Sequence, residues 1–175
     1  MIIFSQSKSY KVIGVKDGDT VEILMDGKPQ VVRLSHIDCP EKKQPFGNNA
    51  KQFVSDVCFG RKVKLSTGWK KDRNKRLLAE IILSNGKNLN KELVKNGLAW
   101  HFKRYSKDNS YDDLEKQAKK LELGLWKDKN PVAPWEWRKS RKKNSHRSVS
   151  TSNKEKNSGC KTAGIFFFIF LLNIF

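Results

Sequence analysis

The chain has 175 residues, enough for one domain with extensions, and 37% hydrophobic residues supply a core of modest size. The formal net charge of +18 argues against basic partners and favours a polyanion, either nucleic acid or an anionic membrane surface. Residues 138–175 hold nine basic residues against one acid, so residues 1–137 keep 27 basic and 17 acidic residues and are basic by themselves.

Three strands joined by tight turns are predicted first along the chain. Apolar and polar residues alternate there with a period of two, as in strands that bury one face. Asp-Gly pairs at 17–18 and 26–27 are turn signals, and the second pair is a strong hairpin signal. The predicted strands are 10–15, 20–25 and 31–37.

A helix, two more strands and two more helices are predicted to follow. Apolar residues at helical spacing in 46–60 predict a helix that a glycine ends. Alternation returns in 61–68 and 76–86, which are separated by a charged loop. The last two helices are predicted at 88–97 and 110–126.

The last predicted helix is amphipathic. Leu114, Ala118 and Leu121 share one face, and Gly124 is expected to terminate the helix. The tryptophans expected to pack on the domain surface are Trp126, Trp135 and Trp137.

Five short strands interrupted by a helix after the third are typical of a five-stranded Greek-key barrel of the OB type. The predicted fold is therefore mainly β with helices (α+β), a barrel with about three α-helices. After Trp137 the composition shifts to Lys, Arg, Ser and Asn, which cannot bury a core. The predicted divisions are an extension at 1–9, the domain at 10–138, a basic disordered tail at 139–162 and a hydrophobic C-terminal segment at 163–175.

The three cysteines predict neither a zinc site nor a disulfide framework. Cys39, Cys58 and Cys160 are widely spaced and include no C-x-x-C pair. Cys58 lies in an apolar segment and is predicted to be a small buried residue.

Three carboxylates and one arginine gather in the segment 17–41, which is unexpected in so basic a chain. Asp19 follows the first turn, Arg33 lies on the third strand, and Asp38 and Glu41 come just after it. An EF-hand is excluded, because apolar residues fill the ligand positions after Asp19. The hairpin register brings Asp19 and Asp38 close together, and two carboxylates that meet favour a hard cation, calcium or magnesium.

Arginines complete a site suited to a phosphodiester. Arg33 and Arg76 offer planar donors to phosphate oxygens, and Pro40 stiffens the turn before Glu41, which is placed to act on a metal-bound water. Considered one at a time, each of these charged side chains is equally well explained as a solvated surface group. Together they predict metal-assisted hydrolysis, in which cationic groups stabilise the charge that develops on phosphorus.

The chain resembles the staphylococcal nuclease (thermonuclease) family over about residues 10–138, and the joint pattern of motifs is highly specific. The matching motifs are DGDTV at 17–21, RL at 33–34, IDCPE at 37–41, FGNNA at 46–50, D-x-x-x-R-x-L-A at 72–79, LNKELVKNGLA at 89–99 and APWEWR at 133–138. The resemblance implies an OB barrel with three helices. It also implies calcium-dependent hydrolysis of DNA and RNA that leaves 3′-phosphate ends.

The resemblance also implies residue roles. Asp19 and Asp38 match the family's calcium carboxylates, and Cys39 stands where a backbone carbonyl completes the protein ligands. The catalytic residues that it implies are Arg33, Glu41 and Arg76.

This chain departs from the family pattern at several positions. Threonine is usual at Cys39, but only its carbonyl is used, so little effect is expected. Lys75 and Lys103 stand where the family has other residues, and Tyr105 is close enough to replace a tyrosine that contacts a base. The substrate-binding residues that we expect are Arg73, Lys75 and Tyr105, in a protein expected to be a monomer.

Two alternatives differ in class from a nuclease. The first is a non-catalytic nucleic-acid-binding OB module, which a metal-dependent cleavage assay would distinguish. The second is a membrane-associated protein, suggested by the 13 apolar-rich residues 163–175. A helix of that length reaches roughly 20 Å, less than the roughly 30 Å hydrocarbon core, so weak membrane-surface contact and a reading-frame artefact both stay open.

The compartment stays unassigned. Residues 1–10 have no basic region and an apolar run of only four residues, so as written they are not an intact signal peptide. The family resemblance by itself favours a secreted or cell-envelope protein.

Overall fold

Five strands close into a barrel in the computed structural model, which describes residues 8–66 and 70–143. Around the barrel the strands follow the order β1-β2-β3-β6-β5, with β5 pairing back to β1. The barrel strands are β1 (Ser9–Asp17), β2 (Thr20–Met25), β3 (Lys28–Leu34), β5 (Lys62–Ser66) and β6 (Leu77–Ile82). A two-stranded sheet of β4 (Ile37–Asp38) and β7 (Trp100–His101) lies beside it.

The topology confirms the predicted barrel. The strands β1, β2 and β3 form an antiparallel meander across the two Asp-Gly turns. The pair β3–β6 is parallel, with Arg33 opposite Leu78, because the chain crosses over through a helix and β5 before it returns. Asp26 and Gly27 have positive φ angles of 50° and 75°, as tight hairpins require.

The third strand ends earlier than the predicted 31–37. It stops at Leu34, and His36 adopts a positive φ of 68°, which breaks the extended run. The side chain of the fully buried Asn90 donates to the Ser35 carbonyl at 2.9 Å and so holds the chain at this break. As a result Asp38 leaves the barrel wall and lies in β4, where it pairs with Trp100.

The core fills the barrel interior and continues under the helices. Inward residues of alternating strands are fully buried, including Val12, Val21, Val32 and Ile81. Cys58 is buried, which confirms the prediction for that residue. A second cluster forms around Ala118, Leu125 and Trp126, with Phe46, Trp100 and Leu123 packed against it.

Three α-helices have the predicted order, with local capping residues at two of their ends. They are α1 (Gly47–Cys58), α2 (Leu89–Lys95) and α3 (Asn109–Lys120), followed by a 3₁₀ helix (Gly124–Lys127). Asn88 caps α2 by accepting from the Lys91 backbone N–H, and Asp108 caps α3 by accepting from that of Ser110.

The predicted buried face of the last helix is wrong at one position. Leu121 is 65% exposed, because α3 ends at Lys120, earlier than the predicted stop at Gly124, and Glu122, two residues later, has a positive φ of 51°. The buried face consists instead of Tyr111, Glu115 and Ala118.

The chain divides into two units, residues 1–137 and 138–175. Residues 134–137 are helical, and so are 138–143, which are the described part of the second unit. Helix is present over 139–143, where the predicted tail begins. In the first unit, Pro134 at the first helical position is a favourable start for residues 134–137. The rest of the predicted tail, the hydrophobic segment 163–175 and most of the extension 1–9 lie outside the described residues.

A search of the described residues for a membrane-spanning helix found none that is both long enough and apolar enough.

Candidate active site

Two aspartates and one arginine meet at one end of the barrel. The Nη2 atom of Arg33 lies 2.8 Å from Asp19 Oδ2 and 2.8 Å from Asp38 Oδ1. Its Nη1 atom donates to the carbonyls of Leu34 at 2.7 Å and Ile37 at 3.1 Å. The structure therefore brings together Asp19, Arg33 and Asp38, and the Arg33 guanidinium holds both carboxylates in place.

The first turn places Asp19 against α1. The Asp19 backbone N–H donates to Asp17 Oδ1 at 3.1 Å, an Asx turn of the kind that Asp-Gly sequences favour. A β-carbon on Gly18 would lie 2.6 Å from Ala50 Cβ, so only glycine lets the turn approach the helix this closely. The Cys39 backbone N–H donates to Asp19 Oδ2 at 2.8 Å and ties the turn to β4.

Both aspartates are buried, and the surroundings of Asp19 disfavour its charged form. Asp19 is 6% and Asp38 1% exposed. The pKa of Asp19 is raised to about 7, chiefly by burial; the Arg33 charge opposes the shift, and nearby Asp17 and Asp38 add to it. The Arg33 guanidinium thus compensates the buried Asp19 carboxylate incompletely.

This donor set fits a hard divalent cation. Each aspartate uses one oxygen for Arg33, and the second oxygen of Asp19 accepts only a long 3.2 Å bond from the Thr20 hydroxyl. Within the described ranges, no group of three or more His, Cys, Asp or Glu side chains is arranged to hold a metal. Two carboxylates, a backbone carbonyl and water would satisfy calcium without a third such side chain.

Glu41 lies on a short loop that a buried glutamine fixes. Gln44 is 7% exposed; its Oε1 accepts from the Glu41 N–H at 3.1 Å and its Nε2 donates to the Val132 carbonyl at 2.5 Å. A β-carbon on Gly47 would lie 2.0 Å from the Glu41 carbonyl oxygen. The backbone of Glu41 is therefore held from both sides, whereas its side chain is partly exposed.

Arg76 directly precedes β6 and is held by Asp72. Its Nε and Nη2 atoms lie 2.8 and 2.7 Å from Asp72 Oδ2, and Asp72 Oδ1 accepts from the backbone N–H groups of Asn74 and Arg76. Partial burial raises the pKa of Asp72, but these hydrogen bonds and the Arg76 charge outweigh it, so the pKa is lowered. Arg76 is thus preoriented at the start of β6. This strand pairs with β3, where Arg33 lies opposite Leu78.

The three expected substrate-binding residues are all exposed. Arg73 and Lys75 lie in the loop that Asp72 closes, and Lys75 has a positive φ of 60°. Tyr105 is 66% exposed; its ring lies edge-on to Phe102 with centroids 5.1 Å apart, and the Arg104 guanidinium lies 5.6 Å from the ring centroid. Lys103 is paired with Asp112 at 2.5 Å.

Sequence reasoning missed the supporting residues. Three side chains position the loops around the site: Gln44, Asp72 and Asn90. Gln44 and Asn90 contact segments that are distant in the sequence, whereas Asp72 fixes the geometry of its own loop. An Asx-type signal at Asp72 was available in the sequence DRN, but no pattern pointed to Gln44 or Asn90.

Comparisons with known proteins identify the family of the chain. The family model described as "Staphylococcal nuclease homologue" matches residues 31–128. An "Uncharacterized endonuclease" of Haemophilus influenzae is 39% identical over 140 residues, 79% of this chain and 78% of that protein. The "Micrococcal nuclease" of Shigella flexneri is 36% identical over 142 residues, 75% of this chain and 81% of that protein. The "Staphylococcal-like nuclease CAN1" of Arabidopsis thaliana is 37% identical over 111 residues, 63% of this chain but 34% of that protein.

A closed five-stranded barrel of this type belongs to a class of folds that bind oligonucleotides and oligosaccharides. The chain belongs to the staphylococcal nuclease homologue family. Family membership and the names of these relatives together support a nuclease with a nucleic-acid substrate.

Proposed function

We propose that the protein is a calcium-dependent nuclease. It hydrolyses phosphodiester bonds of DNA, RNA or both by attack of water and leaves 3′-phosphate ends. The observation that carries the proposal is the pair of buried aspartates, Asp19 and Asp38, which meet at one guanidinium nitrogen in a strongly basic chain. A non-catalytic binding module has no need of two buried carboxylates that meet at one guanidinium.

In this proposal Asp19, Asp38 and the Cys39 carbonyl hold the cation, and Arg33 keeps the two carboxylates oriented. When bound, a divalent cation supplies charge neutralisation at a phosphate oxygen and polarises water. The partly exposed Glu41 orients the attacking water and accepts its proton. The new P–O bond forms from water and the bond between phosphorus and the 5′ oxygen breaks. That oxygen takes up a proton from solvent and leaves as an alcohol, while Glu41 later returns the proton of the attacking water to solvent.

Arg76 binds the phosphate in the transition state. Its planar guanidinium, held by Asp72, offers parallel N–H donors that match two phosphate oxygens. Arg73, Lys75 and Tyr105 add contacts to the rest of the nucleic acid, because all three are exposed. The proposed protein acts as a monomer.

Cleavage of end-labelled single-stranded DNA and RNA by the full chain tests this function. We expect cleavage with calcium, none with chelator, and products whose 3′ ends become extendable only after phosphatase treatment. Asp19→Ala and Asp38→Ala should each weaken calcium binding in calorimetry and remove most activity. Asp113→Ala, at an exposed acid on α3, is the matched control and should change neither. Wild-type calcium affinity in both site variants would refute the metal assignment.

A further inference from the structure

Three exposed lysines line the outer face where the barrel closes. Lys11 of β1 lies directly opposite Lys62 of β5, and Ser9 lies opposite Lys64. Between them Tyr10 and Val63 point into the core, so the residues on either side point outward. We call Lys11, Lys62 and Lys64 the seam lysines.

The seam lysines carry uncompensated charge. Like charges directly opposite on neighbouring strands repel one another and destabilise the pairing. Nearby lysines do have partners, since Lys8 pairs with Asp26 and Lys16 lies 3.5 Å from Glu22. In the ranges 8–66 and 70–143, none of the ion pairs found includes a seam lysine. The seam lysines therefore do not stabilise the strand pair, and they form a surface suited to binding an anion.

An exposed aromatic residue stands at the edge of the seam. Phe59 is 55% exposed, although it directly follows the buried end of α1. The chain then turns, and the backbone of Gly60 and Arg61 bonds to both backbone groups of Val12 on β1. Phe59 and the exposed Arg61 are thereby attached to the same strand pair as the seam lysines. Positive charge combined with an exposed aromatic ring is the pattern of surfaces that bind single-stranded nucleic acid.

The seam and the candidate active site are separated along β1. Lys11 lies near the start of this strand, whereas Asp19 follows its last residue, Asp17, about 20 Å further on at the rise of an extended strand. Arg33 lies on β3, which pairs with β2 and β6 and not with β1 or β5. A nucleic-acid segment held at the seam is therefore not the segment whose bond lies at Asp19 and Asp38.

We propose that the seam lysines, Arg61 and Phe59 form a second binding surface for single-stranded DNA or RNA. The ammonium groups bind phosphates, and the Phe59 ring stacks on a base. Lys62 and Lys64 lie on the same face of β5, about 6.6 Å apart along the strand, so both can contact one sugar-phosphate chain. This surface retains a long substrate while another segment is cleaved, and its binding role does not depend on the proposed catalysis.

Binding of a fluorescent 20-nucleotide oligothymidylate to the full chain over a salt series tests the proposal. Replacing all three seam lysines by glutamine (K11Q/K62Q/K64Q) should make the dependence of the log binding constant on log salt concentration less steep. The magnitude of the slope should fall by about 2, since each phosphate contact contributes about 0.7. Phe59→Ala should weaken binding about five- to a hundredfold with little change in slope, because it removes stacking and no phosphate contact. The matched control K95Q/K127Q/K129Q removes the same charge from exposed positions elsewhere and should leave the slope near wild type.

Two further measurements separate the alternatives. Cleavage of a trinucleotide should be unchanged in K11Q/K62Q/K64Q, because so short a substrate cannot reach both surfaces. A melting temperature at or above wild type shows that the variant folds. A salt slope equal to that of the control triple would overturn the proposal. If binding to phosphatidylserine vesicles were lost while the slope stayed unchanged, the seam would be a lipid-binding surface. The binding assay gives its answer even if the wild-type protein cleaves nothing.

Discussion

At the scale of single residues, Arg33 illustrates how one side chain organises a site. It is 13% exposed and contacts two carboxylates and two carbonyls, so most of its donors serve the protein itself. The sequence predicts a phosphate-binding arginine, and the structure shows Arg33 in contact with both Asp19 and Asp38. Arg76 is the more accessible of the two arginines, at 30% side-chain exposure.

Arg76→Lys should therefore lose much of the activity while the protein stays folded. Lysine keeps the charge but loses the planar fork that faces both Asp72 and a phosphate. Removing one preoriented donor to a developing oxyanion costs about a hundred- to a thousandfold in rate. Single-turnover cleavage at saturating calcium measures the loss. Arg141→Lys, at an exposed arginine with no assigned role, is the control; equal rates for the two variants would contradict the role of Arg76.

Glu41→Gln should slow turnover more than it weakens binding. The substitution keeps the shape of the side chain and removes the negative charge that orients or deprotonates water. A fall in kcat with little change in KM, at an unchanged melting temperature, is the expected result. A variant that cleaves within a few-fold of wild type would show that Glu41 is a surface residue without a catalytic role.

Gln44 should act as a positioning residue for Glu41. Gln44→Ala removes the acceptor for the Glu41 N–H and the link to Val132, so hydrogen exchange of the Glu41 amide should accelerate and kcat should fall more than KM rises. Gln44→Glu keeps the acceptor and should recover part of both effects. Gln52→Ala, in which an exposed glutamine loses its bond to Asp56, is the matched control. Unchanged amide exchange in Gln44→Ala would rule out the positioning role.

At the scale of elements, the site depends on the β1–β2 turn packing against α1. Gly18→Ala places a methyl group 2.6 Å from Ala50 Cβ, so turn and helix must move apart. We expect a loss of about 1–3 kcal/mol in unfolding free energy, together with weaker calcium binding, because Asp19 moves with the turn. Chemical denaturation and calorimetry measure the two effects. In Gly14→Ala the nearest atoms are Glu22 side-chain atoms at 3.4 Å, and both quantities should stay near wild type.

The β4–β7 ladder adds a pH dependence to stability. His101 of β7 pairs with Ile37, is 5% exposed, and stacks on Tyr111 with ring centroids 5.8 Å apart. Burial lowers its pKa, although Glu115 and Asp112 oppose the shift. In the unfolded chain the pKa of a histidine is about 6.5. Below that pH the unfolded chain binds more protons than the folded protein, so protonation favours unfolding. The stability that neutral His101 contributes is therefore complete above about pH 6.5 and is lost as the pH falls below it.

Melting temperatures between pH 8 and pH 5 measure this effect. The fall below pH 6.5 should be shallower in His101→Gln than in the wild type, whatever the absolute stability of the variant. His146→Gln, at a histidine outside the described residues, should reproduce the wild-type profile. Identical slopes in all three proteins would mean that His101 does not couple folding to pH.

At the scale of the whole molecule, charge is spread over the domain and the C-terminal residues alike. Truncation after residue 143 removes four basic residues and leaves every described residue in place. The melting temperature should stay unchanged, while the salt slope of single-strand binding should fall by up to about 3, at about 0.7 per lost contact. An unchanged slope would show that these residues do not touch the nucleic acid.

Local sequence patterns determined the elements and much of the chemistry of the site. Asp-Gly pairs, alternation and helical spacing predicted the meander, α1 and α2, because turns, caps and amphipathic faces depend on neighbouring residues. The residue types Asp19, Asp38, Arg33, Glu41 and Arg76 indicated a cation and a phosphate for the same reason, since oxygen ligands and planar donors are chemical properties of the side chains themselves.

Only the tertiary structure decided how those groups are held. That Arg33 joins two aspartates, that β3 stops at Leu34 and that Gln44 reaches Val132 are contacts between segments separated by as many as 88 positions. Leu121 is exposed for a related reason, because a backbone turn at Glu122 outweighs the helical pattern. A short stretch of sequence is compatible with several strand ends, helix ends and side-chain contacts. Strand register and long-range packing decide among them, and both are fixed only when the barrel closes.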